Sequence, residues 1–203
     1  LPQAAVSGTP PPQIEAQASA ERRGERWQIR ANAKLDRVNA LDIAGYWPPG
    51  IGNGHERDWI IENVTAGLLK NGQSQVQASM PATLDAIDVA NLTGTAEFEG
   101  GTVHWLRPIP PVTGLSGTAE FGLKEITLRG RGGRQLGADG KPTGLEVKEG
   151  SARFYGLNVE PGHAEIRGTL TGPLTDAVAL LKHPRLKLFE KRPLPLRLSL
   201  IHI

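Results

Sequence analysis

The chain has 203 residues, among them 25 glycines, 16 prolines and no cysteine, and its formal net charge is +2. Glycine and proline destabilise helix interiors by about 1 and 3 kcal/mol each, so this composition disfavours a helix bundle and favours short strands joined by turns. The absence of cysteine excludes disulfides, thiolate catalysis and Cys-based zinc or iron–sulfur sites. The small net charge does not by itself indicate nucleic-acid binding.

The first predicted segments are a linker and a strand. Residues 1–24 are rich in Pro, Ala and Gln, which predicts a linker or a truncated edge. Apolar and polar residues then alternate from Trp27 to Leu35, and this period of two predicts a half-buried strand. Because the chain begins with Leu1 rather than Met, we expect a fragment or a processed product, with any membrane anchor outside it.

One segment has helical periodicity. Trp59, Ile60 and Val64 share one helical face, which predicts a helix over residues 55–68 that packs on the sheet. Trp47 precedes this helix, and we expect all four side chains to pack there and to close one end of the sheet. The segment contains His-Glu-x-x-Trp, which lacks the second histidine of a zinc-binding HExxH motif, so no metal site is predicted.

From residue 73 onward the sequence is predicted to be nearly all strand and turn. Asp139-Gly140 is typical of a hairpin turn, and a second short helix is expected from Leu174 to Lys182. The alternating segments are 75–80, 92–100, 102–106, 115–122, 124–130, 144–150, 152–157 and 163–172. We therefore predict a mostly β fold: a curved, twisted antiparallel sheet of about eight to ten strands with one or two short helices.

The sequence contains an internal repeat. LTGTAEF at 92–98 recurs as LSGTAEF at 115–121, with six of seven residues identical, and AEIRGTLTG at 164–172 is a looser copy. The offset of 23 residues (115 − 92) predicts a hairpin unit of about two strands and two turns. In each copy Leu or Ile, Gly, Ala and Phe alternate with Thr, Ser, Glu or Arg, so one face is apolar and the other polar.

Two architectures fit such a face: a sandwich closed by a second sheet, or a curved sheet whose hollow side holds an apolar ligand. The pattern alone does not separate them, and on the pattern alone the closed sandwich is the default.

Three motifs resemble the YhdP-like domain of the AsmA superfamily. They extend over about 150 residues in the order found in that family. They are Tyr46-Trp47-Pro48 followed by Trp59-Ile60, the segment Pro110–Gly117, and a later motif formed by Gly168, Gly172, Pro173, Asp176 and Ala177. The family consists of bacterial envelope proteins with an N-terminal inner-membrane anchor and a long, taco-shaped periplasmic β-sheet.

The resemblance implies an open groove rather than a sandwich. It also implies a function in lipid transport. The chain would be a section of a periplasmic bridge-like protein, anchored in the inner membrane through a segment outside this sequence. Its groove would shield phospholipid acyl chains during transport between the inner and outer membranes, and flanking groove sections of the same chain would be its partners. The alternative is a non-catalytic envelope assembly or scaffold module with a closed sandwich core.

Residues 25–197 are assigned to the β-groove section, and 198–203 to a non-native tail. The residues expected to line the groove are Leu92, Ala96, Phe98, Leu115, Ala119, Phe121, Ile126, Leu128, Ile166 and Leu170. Residues 182–197 carry six Lys or Arg and one Glu and are expected either to contact an anionic membrane surface or to form a last edge strand. No catalytic residue, cofactor or nucleic-acid partner is predicted, so the protein is expected not to be an enzyme.

Overall fold

The computed structural model describes residue 8 and residues 10–46, 55–157 and 163–187. Within these ranges the strands are β1 (Ile14–Arg23), β2 (Arg26–Asn39), β3 (Val64–Pro81), β4 (Asp88–Val103), β5 (Val112–Gly122), β6 (Glu125–Arg131), β7 (Arg134–Leu136), β8 (Pro142–Tyr155) and β9 (His163–Thr171). The helices are α1 (Ile43–Tyr46), α2 (His55–Asn63) and α3 (Leu174–Leu181), with 3₁₀ turns at Ala40–Asp42 and Pro184–Leu186.

All nine of these strands belong to one antiparallel sheet. Strands β1 to β6 follow one another in order, β8 lies beside β6, and β9 pairs with the other edge of β8. Short β7 bridges β5 and β8. The prediction of a mostly β, antiparallel fold is confirmed. The described part of the chain contains no second sheet that would close a sandwich.

The strand register aligns the apolar residues of neighbouring strands on one face. Ile29 lies opposite Ala78, Val76 opposite Leu92, and Ala96 opposite Ala119. Directly opposed residues of an antiparallel pair point to the same side of the sheet. The apolar positions therefore form one continuous surface from β1 to β9, which we call the apolar face, and the polar residues form the opposite, polar face.

The repeat occupies neighbouring strands rather than successive hairpins. Its two copies lie in β4 and β5 and pair antiparallel, with Gly94 opposite Phe121 and Phe98 opposite Gly117. The prediction of a two-strand repeat unit is therefore wrong. The offset is long because the connection over residues 104–111 is long, and its Ile109 is only 1% exposed.

β4 is longer than the sequence pattern indicates. Residues 92–100 and 102–106 were expected to form two strands, whereas β4 runs without a break to Val103. Glycines 100 and 101 lie at register shifts on both sides of β4, and Gly100 has a φ of +65°, which glycine adopts readily. Such bulges bend a strand and increase its twist, so the sheet departs from a flat ribbon here.

Helix α2 is shorter than predicted, because it ends at Asn63 and β3 begins at Val64. Apolar residues at 60, 64 and 68 are four apart, a spacing that fits a strand of period two as well as a helix. The β-branched pair Val64-Thr65 favours a strand. The helix expected from Leu174 to Lys182 is α3, which begins at Leu174 and ends at Leu181. Gly140 lies in the expected turn and has a φ of +74°.

The N-terminal region contributes an edge strand. Within residues 1–24, expected to be a linker or a truncated edge, residues 14–23 form β1 and pair with β2 without a register shift. The Asp36 carboxylate accepts a hydrogen bond from the backbone N–H of Gln13 at 2.7 Å, and this bond holds the pKa of Asp36 below its usual range. Trp47 and residues 198–203 lie outside the described residues.

Candidate functional site

The register places the ten predicted groove residues together on the apolar face. β4 supplies Leu92, Ala96 and Phe98, β5 supplies Leu115, Ala119 and Phe121, β6 supplies Ile126 and Leu128, and β9 supplies Ile166 and Leu170. These residues therefore come from four strands, and none comes from β8 or the short β7. The residues that alternate with polar ones in the sequence thus lie on one surface of the sheet.

Exposure varies systematically along this surface. The small residues Ala96 and Ala119 are each 6% exposed, whereas Ile166 and Leu170 at the edge are 43% and 40% exposed. The larger side chains of β4 and β5, such as Leu92, are half-buried. Apolar surface thus remains accessible on β4, β5 and β9.

Aromatic rings of the repeat lie over glycines, Phe121 over one on the adjacent β4 and Phe98 over one on β6, two strands away. A Cβ built on Gly94 would be 2.2 Å from Cζ of Phe121, and one built on Gly130 would be 3.3 Å from Cζ of Phe98. The tips of these rings therefore contact backbone that has no side chain, an arrangement that stabilises strand glycines. These glycines therefore leave room for the rings on the apolar face.

Helix α2 covers the part of the apolar face that lies on β6 and β8. Ile60 is 8% exposed and forms a buried cluster with Ile126, Phe154 and Leu157. The rings of Trp59 and Phe154 lie 4.8 Å apart between centroids. Trp59, Val64, Phe121, Leu128 and Ala152 pack around this cluster. Ile126 and Leu128, expected to line an open groove, are therefore packed beneath or beside the chain's own helix.

Arg107 fastens the end of this helix. Its Nη2 donates to the backbone carbonyl of Glu62 at 2.8 Å, and its Nε donates to Oδ1 of Asn63 at 3.2 Å. The last carbonyls of a helix lack partners within the helix, so Arg107 satisfies that of Glu62 and complements the helix dipole. The connection over residues 104–111 thereby holds α2 on the sheet.

Sequence analysis missed the contributions of β3 and β8. Ala78 on β3 is 4% exposed and lies opposite Ile29, while Phe154 and Leu157 near the end of β8 are each 2% exposed. The alternation in residues 75–80 and 152–157 had marked these strands as half-buried. It did not show which register would join their apolar residues to those of the repeat.

The polar face carries charged pairs between neighbouring strands. Arg153 donates to both oxygens of Glu125, at 2.8 and 2.7 Å, and Arg129 donates to Glu120 at 2.6 Å. The hydrogen bonds from Arg153, and then from Thr127, lower the pKa of Glu125 to about 2. This carboxylate therefore remains charged and paired, which suits a solvated structural face.

The described residues include no group of three or more His, Asp or Glu side chains placed to hold a metal ion. His104 is the first residue of the connection that holds α2, and burial, then the nearby charge of Arg107, lowers its pKa. Of the basic segment 182–197, the structure describes residues 182–187, and 188–197 lie outside the described residues.

No helix in the described ranges is long and apolar enough to cross a membrane.

The chain has no match among models of protein families, curated proteins or solved structures.

Proposed function

We propose that this chain is a section of a periplasmic bridge-like protein whose apolar face shields phospholipid acyl chains in transit between the inner and outer membranes. The resemblance of its motifs to the YhdP-like domain of the AsmA superfamily suggests this role. The protein would be anchored in the inner membrane outside this sequence and continued by flanking groove sections. Transport would be passive sliding, without a catalytic residue.

The observation that carries the proposal is a continuous apolar face that no second sheet covers in the described part of the chain. From β1 through β5, the stretch that α2 leaves uncovered, the face crosses four inter-strand spacings of about 4.8 Å, or about 19 Å. Trp27, Ile29 and Leu35 on β2 are half-buried, as are Leu92 and Phe98 on β4. A monomeric soluble protein rarely leaves so much contiguous apolar surface without a ligand or partner.

The energetics of such a surface suit a mobile lipid. Burying a methylene group gains about 0.8 kcal/mol, so a chain of about sixteen carbons that buries half its surface would gain about 6 kcal/mol. That gain needs no directional hydrogen bond, and it changes little when the chain slides along a uniform surface. Small side chains such as those of Ala96 and Ala119 project little from the apolar face and leave room for an acyl chain above it.

Helix α2 determines where a lipid would lie. Because Ile60 and Trp59 occupy the face over β6 and β8, the surface open to an acyl chain is that of β1 to β5, together with β9. Arg107 keeps the helix in place, so α2 would close one side of the groove.

Site-specific photocrosslinking tests the proposal. A benzophenone amino acid is placed at Leu92 or at its neighbour Thr93, which points to the polar face, and the full chain is incubated with phosphatidylethanolamine–phosphatidylglycerol vesicles. Leu115 and Ser116 provide a second matched pair on β5. We expect lipid adducts several-fold more often at Leu92 and Leu115. Equal yields on both faces, or no adducts on either, would overturn the proposal, and the latter would favour a scaffold role.

A further inference from the structure

Strand β9 has an unpaired edge in the described part of the chain. It pairs with β8 alone, and all of its residues except Glu165 are exposed. From His163 to Thr169 it contains no register shift and no proline. Natural sheets usually protect an edge with prolines, bulges or charged side chains, and of these β9 has only the charges. An edge protected by charge alone is suited to pairing with a strand of complementary charge.

The charge pattern of β9 is self-complementary. Glu165 and Arg167 flank Ile166 on the polar face, where they form an ion pair with side chains 41% and 76% exposed. If a second β9 lies antiparallel with Ile166 opposite its own copy, each Glu165 lies directly opposite an Arg167 of the second copy. Opposite charges at directly opposed positions stabilise a strand pair.

This register is the best available to β9. A shift of two residues in one direction places Glu165 opposite Glu165 of the second copy, and a shift of two in the other direction places Arg167 opposite Arg167. In both cases like charges face each other. A shift of one residue exchanges the apolar and polar faces. With Ile166 at the centre, Ala164 also lies opposite Gly168, so the apolar residues of both copies stay on the same side.

The other edge strand, β1, is less suited to self-pairing. Its apolar positions after Ile14 are the alanines 16, 18 and 20, whose burial gains little. By contrast, Ile166 is 43% exposed and would meet its own copy on the symmetry axis.

We propose that β9 pairs antiparallel with β9 of a second copy of this chain, forming a dimer with two-fold symmetry. The symmetry closes the β9 edge, as expected for an isologous interface, and flanking groove sections of the same chain would then continue the sheet from the β1 edge. Because the two-fold axis is perpendicular to the sheet, the two apolar faces join into one surface. This inference does not depend on lipid binding, since edge pairing and the charge pattern alone carry it.

Sedimentation velocity over a range of protein concentrations measures the dimer. E165R and R167E should each weaken dimerisation at least tenfold, because each places two pairs of like charges opposite one another. The double variant E165R/R167E should restore the wild-type dissociation constant to within about threefold. High salt should weaken the wild-type dimer, since exposed charge pairs are screened.

Three controls make the test decisive. E15R changes a charge on β1 and should leave the dimer unchanged. Because Glu165 lies opposite Arg153 on β8, E165R brings two arginines together, so thermal melting must show that each variant is folded. I166K provides a second disruption, since it places two ammonium groups together on the symmetry axis. A wild-type monomer at all concentrations, a failure of the double variant to restore pairing, or a loss of the dimer in E15R would each overturn the proposal.

Discussion

Replacing Gly94 by alanine tests how the repeat packs. The new Cβ would lie 2.2 Å from Cζ of Phe121 and 2.8 Å from the backbone oxygen of Gln73, both closer than atoms in van der Waals contact. The Phe121 ring must therefore move by more than 1 Å. Overpacking of this kind costs about 1–3 kcal/mol. We expect G94A to lower the free energy of unfolding by about 2 kcal/mol and Tm by about 4–8 °C.

A double-mutant cycle separates the part of the G94A cost that comes from the Phe121 ring from the part that comes from the Gln73 backbone oxygen. With the ring removed in F121A, G94A should cost at most half as much, because only the Gln73 oxygen still opposes the Cβ. At Gly117 the obstructing atom is the backbone oxygen of Arg129, 1.8 Å from a built Cβ. Since no side-chain truncation relieves that contact, G117A should remain equally costly in an F98A background.

Urea denaturation followed by circular dichroism measures all of these variants. G168A serves as the matched control, because the nearest atom to its Cβ lies 3.7 Å away, and its effect should stay within about 0.5 kcal/mol. If G94A costs the same with and without the Phe121 ring, the proposed ring-on-glycine packing is refuted.

Two further predictions concern polar contacts. Because the folded-state pKa of Glu125 is about 2, its stabilising effect should be present above pH 4.5 and disappear as pH falls toward 2. E125Q should flatten the fall of Tm in that window, and an unchanged profile would contradict the pairing with Arg153. Gln135 is 1% exposed. Its Oε1 accepts a hydrogen bond from Nε1 of Trp105, and its Nε2 donates one to the backbone carbonyl of Pro110. Q135A should therefore cost about 2–4 kcal/mol in urea denaturation, and a cost below 1 kcal/mol would contradict this role.

The strands and the apolar face were predictable because a period of two is a local property. Alternation marked Leu92, Ala119 and Ile166 correctly as residues of one face, although each lies in a different strand. Strand pairing then follows from the need to keep apolar residues on the same side. The sheet class and most of its elements could therefore be inferred from short windows of sequence.

The parts that escaped prediction depend on contacts between distant residues. The position of α2 over Ile126 and Phe154 requires knowledge of which strands lie beneath it, and the hydrophobic spacing around Ile60 does not contain that information. The end of α2 depends on Val64 pairing with Val103, which competes with continued helix formation. The hydrogen bond from Arg107 to Asn63 joins residues 44 positions apart. The sequence around Arg107 contains no local signal of that contact.

The pairing of β4 with β5 also suggests how such a sheet grew. Gly-x-Ala-x-Phe, laid antiparallel on a copy of itself, places each phenylalanine opposite a glycine and each alanine opposite an alanine, much as a palindromic oligonucleotide pairs with itself. A segment with this property needs no co-evolved partner when it is duplicated, because its duplicate already fits. Elongation by single-strand duplication would then extend the same surface at each step, without a redesign of the existing core.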